Sequence, residues 1–575
     1  MLQLVYNPSD MRILFVLHDN VKHMVVKKGR SQQMTEIAML EEHLNKIPSY
    51  QFLPSFSGVP RPVVFLEKVK IKDKLIHWCH SGLWKEVRDW CTDNNIQVTG
   101  PDNTFKLTDF KLTLEEFRDY VAAWNLNIKP RDYQLEAAWK ILHYRQSMSQ
   151  LATRAGKTLI AYIVFRYMLE NGAHNILMIV PNITLVKQGV EDMKDYKEFF
   201  STEAVWANGE YCEGSNLTIG TFQSLVRRCV KGKHGKVNKK YDPTFFDKFD
   251  VICVDETHKA DCESIKQILS QPFIKNAKLR FGFSGTLPDP NTIESFGCQS
   301  MVGPKIQDIS TTELVDAGFL AKPIINQIHI HYKADKSLQS EYIKYGEYLC
   351  STFVEQDKKK VLLPKEQRDM TMIYEKKLPI AIQQAKANMS RDEYQEFLIN
   401  LCKAKGSNLL VLEQMIAEHS QQKLDKIQEI IFSFDKNGIV FAHNDAYIEF
   451  LEAYYKKVFP ERNIYKIKGS TSSKKRLEII TKMNEEDTNC VLIASFGVVS
   501  TGLTFKNIDY CVFAQSFRSK IITFQALGRG LLKGSDKTEF QIFDIIDILP
   551  TQRLARQGKD KIKMYKDAKL EYRVL

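Results

Sequence analysis

Short, continuous apolar runs recur through the middle and the end of the chain. Residues 176–180 read ILMIV, 251–254 VICV, 439–442 IVFA, 491–494 VLIA and 510–514 YCVFA. Continuous runs of this length suit strands covered on both faces, as in a parallel sheet between helices. The stretches between them carry helical spacing, as in Leu159, Ile160, Ile163 and Tyr167. Strands alternating with helices predict the α/β class, with two doubly wound parallel-sheet domains.

Three regions depart from that rhythm. Residues 1–115 predict a small α+β domain, with strand-like stretches at 11–26 and 63–71 and helix spacing around Leu83, Trp84, Val87 and Trp90. Its tryptophans Trp78, Trp84 and Trp90 either pack in a core or stack on bases, and amphipathic packing is the favoured reading. Residues 332–430, rich in Lys, Glu, Gln and Leu, predict a helical insertion with helices at 340–354, 379–403 and 410–432. The tail 553–575 reads as a basic helix docked through Ile562, Tyr565 and Tyr572, with its cations outward. The expected domains are 1–115, 116–331, 332–430 and 431–575.

A chain of 575 residues exceeds a single core, and a net charge of +12 favours a polyanionic partner, nucleic acid first. Eleven cysteines without ligand spacing read as reduced thiols rather than a disulfide frame or a metal site. No apolar stretch has membrane-helix length and no signal peptide is evident, so a cytoplasmic protein without a membrane partner is expected. If phage-encoded, it would act in the host cytoplasm.

Chemistry concentrates at LATRAGKT, residues 151–158. A Gly-Lys-Thr that opens a helix supplies N–H groups to cradle phosphates, here from Ala155 and Gly156, with Lys157 on the β and γ oxygens. The Thr158 hydroxyl would ligate Mg²⁺, although Leu151 stands where the strict pattern has its first glycine. Arg154 in this loop either adds a cation near the phosphates or faces solvent. A second motif, VICVDETH at 251–258, ends a buried strand in two carboxylates. Asp255 would hold Mg²⁺, and Glu256 would orient and deprotonate the attacking water.

Other pieces follow in order: RDYQ at 131–134, Pro181 with Lys187 and Gln188, GTFQ at 220–223, SGT at 284–286, ASFGVVSTG at 494–502 and QALGR at 525–529. In this order the chain resembles the superfamily 2 helicases over about residues 120–560, and more narrowly the phage recombination helicases among them. The narrower likeness lies in residues 494–509, SKII at 519–522, GLLK at 530–533 and GKDKIKMY at 558–565. The resemblance implies two RecA-like P-loop domains using ATP with Mg²⁺, and a DNA-binding role for the N-terminal domain. It assigns Arg131, Gln134 and Gly502 to the nucleotide, and Gln525 and Arg529 to catalysis beside Lys157, Asp255 and Glu256. Lys187, Thr221, Gln223, Arg476 and Thr501 would contact nucleic acid, and His258, Ser284 and Thr286 would couple hydrolysis to movement. The implied activity is ATP-driven unwinding, annealing or regression of forked and branched DNA by a monomer, in recombination, repair and replication. An RNA helicase and a hydrolysis-impaired nucleic-acid binding module are the alternatives. The stretch 227–240, with seven Lys and Arg, is either a cationic loop beside the DNA or a solvated one.

One position departs from the family. A second arginine normally follows the first by three residues, and here Leu532 stands there with Lys533 beside it. Such an arginine stabilises charge developing on the γ-phosphate. We expect Arg529 to suffice. Steady-state ATPase with saturating forked DNA should then be abolished by Arg529→Ala and nearly unchanged by Leu532→Arg or Lys533→Ala. A large gain in Leu532→Arg, or a severe loss in Lys533→Ala, would show that a single arginine is not enough.

Overall fold

The apolar runs become the inner strands of two parallel sheets. The computed structural model describes residues 2–7, 12–17, 22–27, 30–44, 65–71, 74–99, 109–205, 215–229, 241–242, 244–269, 277–290, 292–332, 354–356, 359–361, 414, 416–443, 445–485, 488–496, 505, 508–515, 523, 538–549 and 553–575. It divides into two units, Met1–Ser310 and Thr311–Leu575.

The first unit begins with strands β1 (Leu2–Asn7), β2 (Arg12–Leu17), β3 (Lys22–Lys27) and β4 (Arg30–Thr35), then helix α1 (Glu36–Leu44). Strands β5 (Glu67–Ile71) and β6 (Lys74–His80), helix α2 (Trp84–Asp93) and β7 (Val98–Thr99) complete a mixed sheet in the order β5-β6-β2-β1-β7. The expected small α+β domain is therefore present, but its core is not its own. Leu40, Leu44, Leu83, Val87 and Cys91 pack around Phe296, which belongs to the following domain. The buried Ser81 hydroxyl also donates to Gln146 Oε1 at 2.8 Å across the same boundary. The tryptophans pack rather than display themselves: Trp78 and Trp90 are buried, and Trp84 stacks on Tyr144 with ring centroids 6.2 Å apart.

Helices α3 (Leu114–Ala122) and α4 (Asp132–Leu142) lead into the first parallel sheet. Its elements are β8 (Gln146–Leu151), α5 (Lys157–Glu170), β9 (Ile176–Val180), α6 (Ile183–Tyr196), β10 (Thr202–Val205), β11 (Leu217–Thr221) and α7 (Phe222–Cys229). Then come β12 (Val251–Asp255), α8 (Glu263–Leu269), β13 (Leu279–Ser284), α9 (Ile293–Val302) and β14 (Lys305–Ile309). The order is β10-β11-β9-β12-β13-β8-β14, with every neighbouring pair parallel.

The second unit contains α10 (Thr311–Asp316), β15 (Lys322–His331), β16 (Val354–Gln356), β17 (Lys359–Val361), α11 (Gln421–Phe432), β18 (Gly438–Ala442) and α12 (Asp445–Val458). It continues with β19 (Asn463–Ile467), α13 (Ser473–Glu485), β20 (Cys490–Ser495), β21 (Tyr510–Phe513), β22 (Glu539–Ile548), α14 (Arg553–Asp567) and β23 (Glu571–Val574). Its parallel sheet runs β19-β20-β18-β21-β22-β15-β23.

Three expectations change here. The boundary at 331 moves back to 310, because β15 pairs with β22 along ten residues, Lys322↔Glu539 to His331↔Ile548. The helix expected to run through Val354 gives way at that residue to a hairpin, with β-branched Val354 opposite Val361. Of the other insertion helices, α11 realises the last, while 340–353 and 379–403 lie outside the described residues. The tail is a helix followed by strand β23 on the sheet edge, and one of its cations, Lys561, points inward and is fully buried.

Lys561 meets Asp544 at 2.5 Å, and the Tyr565 hydroxyl donates to the same carboxylate at 3.0 Å. Three residues along β22, on the opposite face of the strand, Asp547 accepts from Lys423 of α11 at 2.8 Å and from the Tyr332 hydroxyl at 2.9 Å. Each face of β22 thus fixes one helix through a buried, fully hydrogen-bonded charge. Removing one partner leaves the other charge uncompensated in the core, which costs about 3–5 kcal/mol. We expect Asp544→Ala to lose that much in urea unfolding, with Asp544→Leu/Lys561→Met regaining most of it. A loss below about 1 kcal/mol in the single variant would contradict the burial of this pair.

Candidate functional site

Parallel pairing places the C-terminal ends of β8, β12 and β13 at one edge of the first sheet, with β13 between the other two. The loops after these strands carry the Gly-Lys-Thr, the Asp-Glu-Thr-His and the Ser-Gly-Thr. Adjacent strands lie about 5 Å apart, so all three loops meet at one place. This is where open α/β sheets bind ligands.

The phosphate loop is shaped from below by α4. Gly156 caps α5 with φ +78, a left-handed conformation natural to glycine. A Cβ there would lie 2.1 Å from the Gln134 amide nitrogen. That amide donates to the Ala155 carbonyl at 2.9 Å, and the Tyr133 hydroxyl donates to the same oxygen at 2.9 Å. Gln134 Oε1 accepts the Arg131 backbone N–H at 2.9 Å. Gln134 is therefore a brace of the loop, and Tyr133 is a second brace that the sequence did not single out. Lys157 and Thr158 occupy the first turn of the 14-residue α5, where a helix favours an anion. Arg154, at φ +74, has Nε and Nη2 buried, so its guanidinium is only partly open to solvent.

The carboxylates are held by a clamp between β12 and β13. The buried Thr257 hydroxyl lies 3.1 Å from the Val254 carbonyl and 2.9 Å from that of Phe283. It fits because residue 282 is glycine: a Cβ there would sit 2.3 Å from Thr257 Oγ1. Before the clamp, Glu256 takes a left-handed conformation at φ 56, ψ 55. Strain of this kind is kept where surrounding contacts impose it. His258 Nδ1 lies 2.9 Å from Ser284 Oγ and 3.2 Å from Glu256 Oε2. Ser284 Oγ already donates to the Thr286 carbonyl at 2.7 Å, so His258 Nδ1 carries the proton and donates. The three residues expected to couple the loops, His258, Ser284 and Thr286, thus form one chain beginning at Glu256.

Asp255 ends β12 partly buried. Burial and the Glu256 carboxylate push its carboxyl up to about 6, opposed first by Lys157. Such accumulated negative charge suits a hard dication. No cluster of three or more His, Cys, Asp or Glu capable of holding a metal occurs among the described residues. One carboxylate and a hydroxyl fit Mg²⁺, which takes few protein ligands and completes its shell from phosphates and water. Asp255 and Thr158 are the residues that would hold it, and the ion would neutralise phosphate charge.

Residues 127–289 match the family model described as type III restriction enzyme, res subunit, and residues 422–531 match the helicase conserved C-terminal domain. The chain is 26% identical over 486 residues to the ATP-dependent DNA helicase uvsW of Enterobacteria phage T4, covering 81% of this chain and 80% of that one. The chain carries the domains of a helicase. It is also 22% identical over 517 residues to the DNA 3'-5' translocase XPB2 of Sulfurisphaera tokodaii, covering 88% of this chain and 100% of that one. The crystal structure of T4 UvsW aligns over 100% of this chain and 98% of its own, at 19% identity and a TM-score of 0.42.

In this chain the expected nucleic-acid contacts divide. Lys187 is exposed on α6. Gln223 lies beyond the end of β11 and donates to the Pro181 carbonyl at 3.4 Å. Thr221 is 97% buried, and its hydroxyl caps α7 by accepting the Ser224 N–H at 3.3 Å. Arg476 turns inward and donates to the carbonyls of Lys468 at 3.3 Å and Gly469 at 2.8 Å, bracing that loop. Thr501, Gly502, Gln525, Arg529, Leu532 and Lys533 lie outside the described residues, as does the basic stretch from 230 to 240. A residue missed in the sequence is Asp192 of α6, which is hydrogen-bonded with Thr158 and Gln188. Burial and Asp195 push its carboxyl up to about 6. Its only signal was the four-residue spacing from Gln188.

The clamp makes a direct prediction. Gly282→Ala should displace Thr257 and with it Glu256, and a misplacement of about 1 Å costs roughly a hundredfold in turnover. Thr257→Ser, which keeps the hydroxyl, should stay near the unmodified rate. Steady-state ATPase of the two variants checks this, and equal rates would remove the clamp from the site.

Proposed function

We propose that the chain hydrolyses ATP with Mg²⁺ and uses the cycle to move along DNA, remodelling forked or branched molecules. One observation carries the reading: Glu256 lies 3.2 Å from His258 Nδ1, which is hydrogen-bonded with Ser284 and through it with Thr286, beside the braced Gly-Lys-Thr loop. Lys157 would neutralise the β and γ oxygens, and Glu256 would take the proton of the attacking water. A change at the γ-phosphate would be felt at Glu256 and relayed through His258 to the loop after β13. That sheet edge also bears Lys187 on α6 and Gln223 beyond β11, groups suited to sequence-independent contact with a strand backbone. The uvsW and XPB2 relatives, named for DNA, support DNA over RNA.

ATP turnover should be measured with single-stranded, duplex and forked DNA and with RNA. We expect the strongest stimulation by forked DNA, and unwinding or regression of the fork only with ATP. Lys157→Ala should abolish turnover, and Glu256→Gln should bind ATP without hydrolysing it. Near-normal DNA-stimulated hydrolysis in either variant would overturn the site. Stimulation by RNA alone would transfer the reading to an RNA helicase.

A further inference from the structure

A second cationic feature lies in the second unit, beside the edge strand of its sheet. A cleft of about 570 Å³ opens against β19, the edge strand of its sheet, between the end of α12 and one face of α13. Lys456, Lys466, Lys475 and Lys482 line it, against Glu452 and Glu478. Arg462 also lines the cleft; its side chain is 8% exposed, donates to the Ile431 carbonyl at 2.8 Å and lies 3.9 Å from the exposed Asp435 carboxylate, which offsets part of its charge. Five cations face two carboxylates in the lining and, through Arg462, the exposed Asp435. Lys456 and Lys466 share Glu452 at 2.9 and 2.5 Å, while Lys482 approaches Glu478 only to 3.6 Å. Positive charge is therefore left over after every internal pairing.

The arrangement is extended rather than enclosing. Lys475 and Lys482 are two turns apart on one face of α13, about 10 Å along its axis. A row of that length spans several phosphates of a nucleic-acid strand, which follow one another every 3.4 Å or so along a duplex, and exceeds what one small anion needs. Lysines act as point charges without base preference, which suits a backbone. The cleft runs from Lys475, in the first turn of α13, toward the N-terminal end of β19, where Lys456, Arg462 and Lys482 lie, so it extends away from the edge at which parallel strands present their loops.

We propose that this cleft holds the phosphate backbone of a second nucleic-acid segment, a duplex arm outside the strand track, an assignment that rests on the nucleic-acid reading above. The track would then fix the moving strand while the cleft retains an arm. Retention of that kind favours forks over plain single strands.

The test uses the full chain and the variants Lys475→Glu/Lys482→Glu and Lys475→Gln/Lys482→Gln, each first checked for an unchanged unfolding midpoint. Binding to a forked duplex and to a single strand is followed by anisotropy between 50 and 200 mM salt. Losing two phosphate contacts lowers the salt slope by about 1.8, so the affinity lost over that range should shrink roughly tenfold on the fork. Single-strand binding and single-strand-stimulated ATP turnover should be unchanged in both variants. An unchanged fork slope overturns the proposal. Equal losses on fork and single strand also overturn it, by making the cleft part of the track. Unaltered fork binding with lost binding of poly-glutamate assigns the cleft to an acidic protein instead. The unmodified chain separates the two levels of inference: if no nucleic acid stimulates its ATPase, the functional reading fails, whatever the variants do.

Discussion

The nucleotide site depends on how closely the end of β12 approaches β13. Thr257 reaches the Phe283 carbonyl only because residue 282 has no side chain, and this contact fixes the backbone on both sides of the threonine. A left-handed glutamate costs on the order of 1–2 kcal/mol in isolation. Here it is bracketed by strand β12 before it and the Thr257 clamp after it. The clamp holds Glu256 beside His258, whose tautomer is set by Ser284 as it donates to the Thr286 carbonyl. The geometry at Glu256 and the packing of the sheet are in this sense the same constraint.

The two units treat buried charge in opposite ways. In the second unit, Asp544 and Asp547 each have a lysine and a tyrosine, and their charges are settled within the protein. In the first unit, Asp255 has another carboxylate as its neighbour, and its raised pKa records an imbalance. A balanced pair organises helices on a strand. An unbalanced one invites a cation, which distinguishes a scaffold from a site.

What could be read in the sequence follows from how local each signal is. The inner strands were legible because a run such as ILMIV or VICV has no other comfortable environment. The Gly-Lys-Thr and Asp-Glu-Thr-His segments stood out because glycine, lysine and acid at fixed spacing have a joint chemical use, and the sheet brings them to one edge. Strand β15 was not assigned to the second sheet, since its partner β22 lies more than two hundred residues later. Lys561 read as a solvent-facing cation because its partner, Asp544, is on a different element. The inward hydrogen bonds of Arg476 were not legible, since they go to carbonyls eight and seven residues earlier in a loop. Asp192 gave almost no signal, because a carboxylate on an amphipathic helix is ordinary until Thr158 is found beside it.

The brace formed by Gln134 bears on nucleotide choice. A glutamine amide offers two donors and two acceptor lone pairs, and here one of each already holds Ala155 and Arg131. A base docking on Gln134 would use the remaining pair on the same rigid group. Recognition at the base and the shape of the loop around the phosphates would then share one planar side chain. Discrimination among bases would be expressed in the rate of the chemical step as well as in occupancy, so a wrong base could bind well and still turn over slowly.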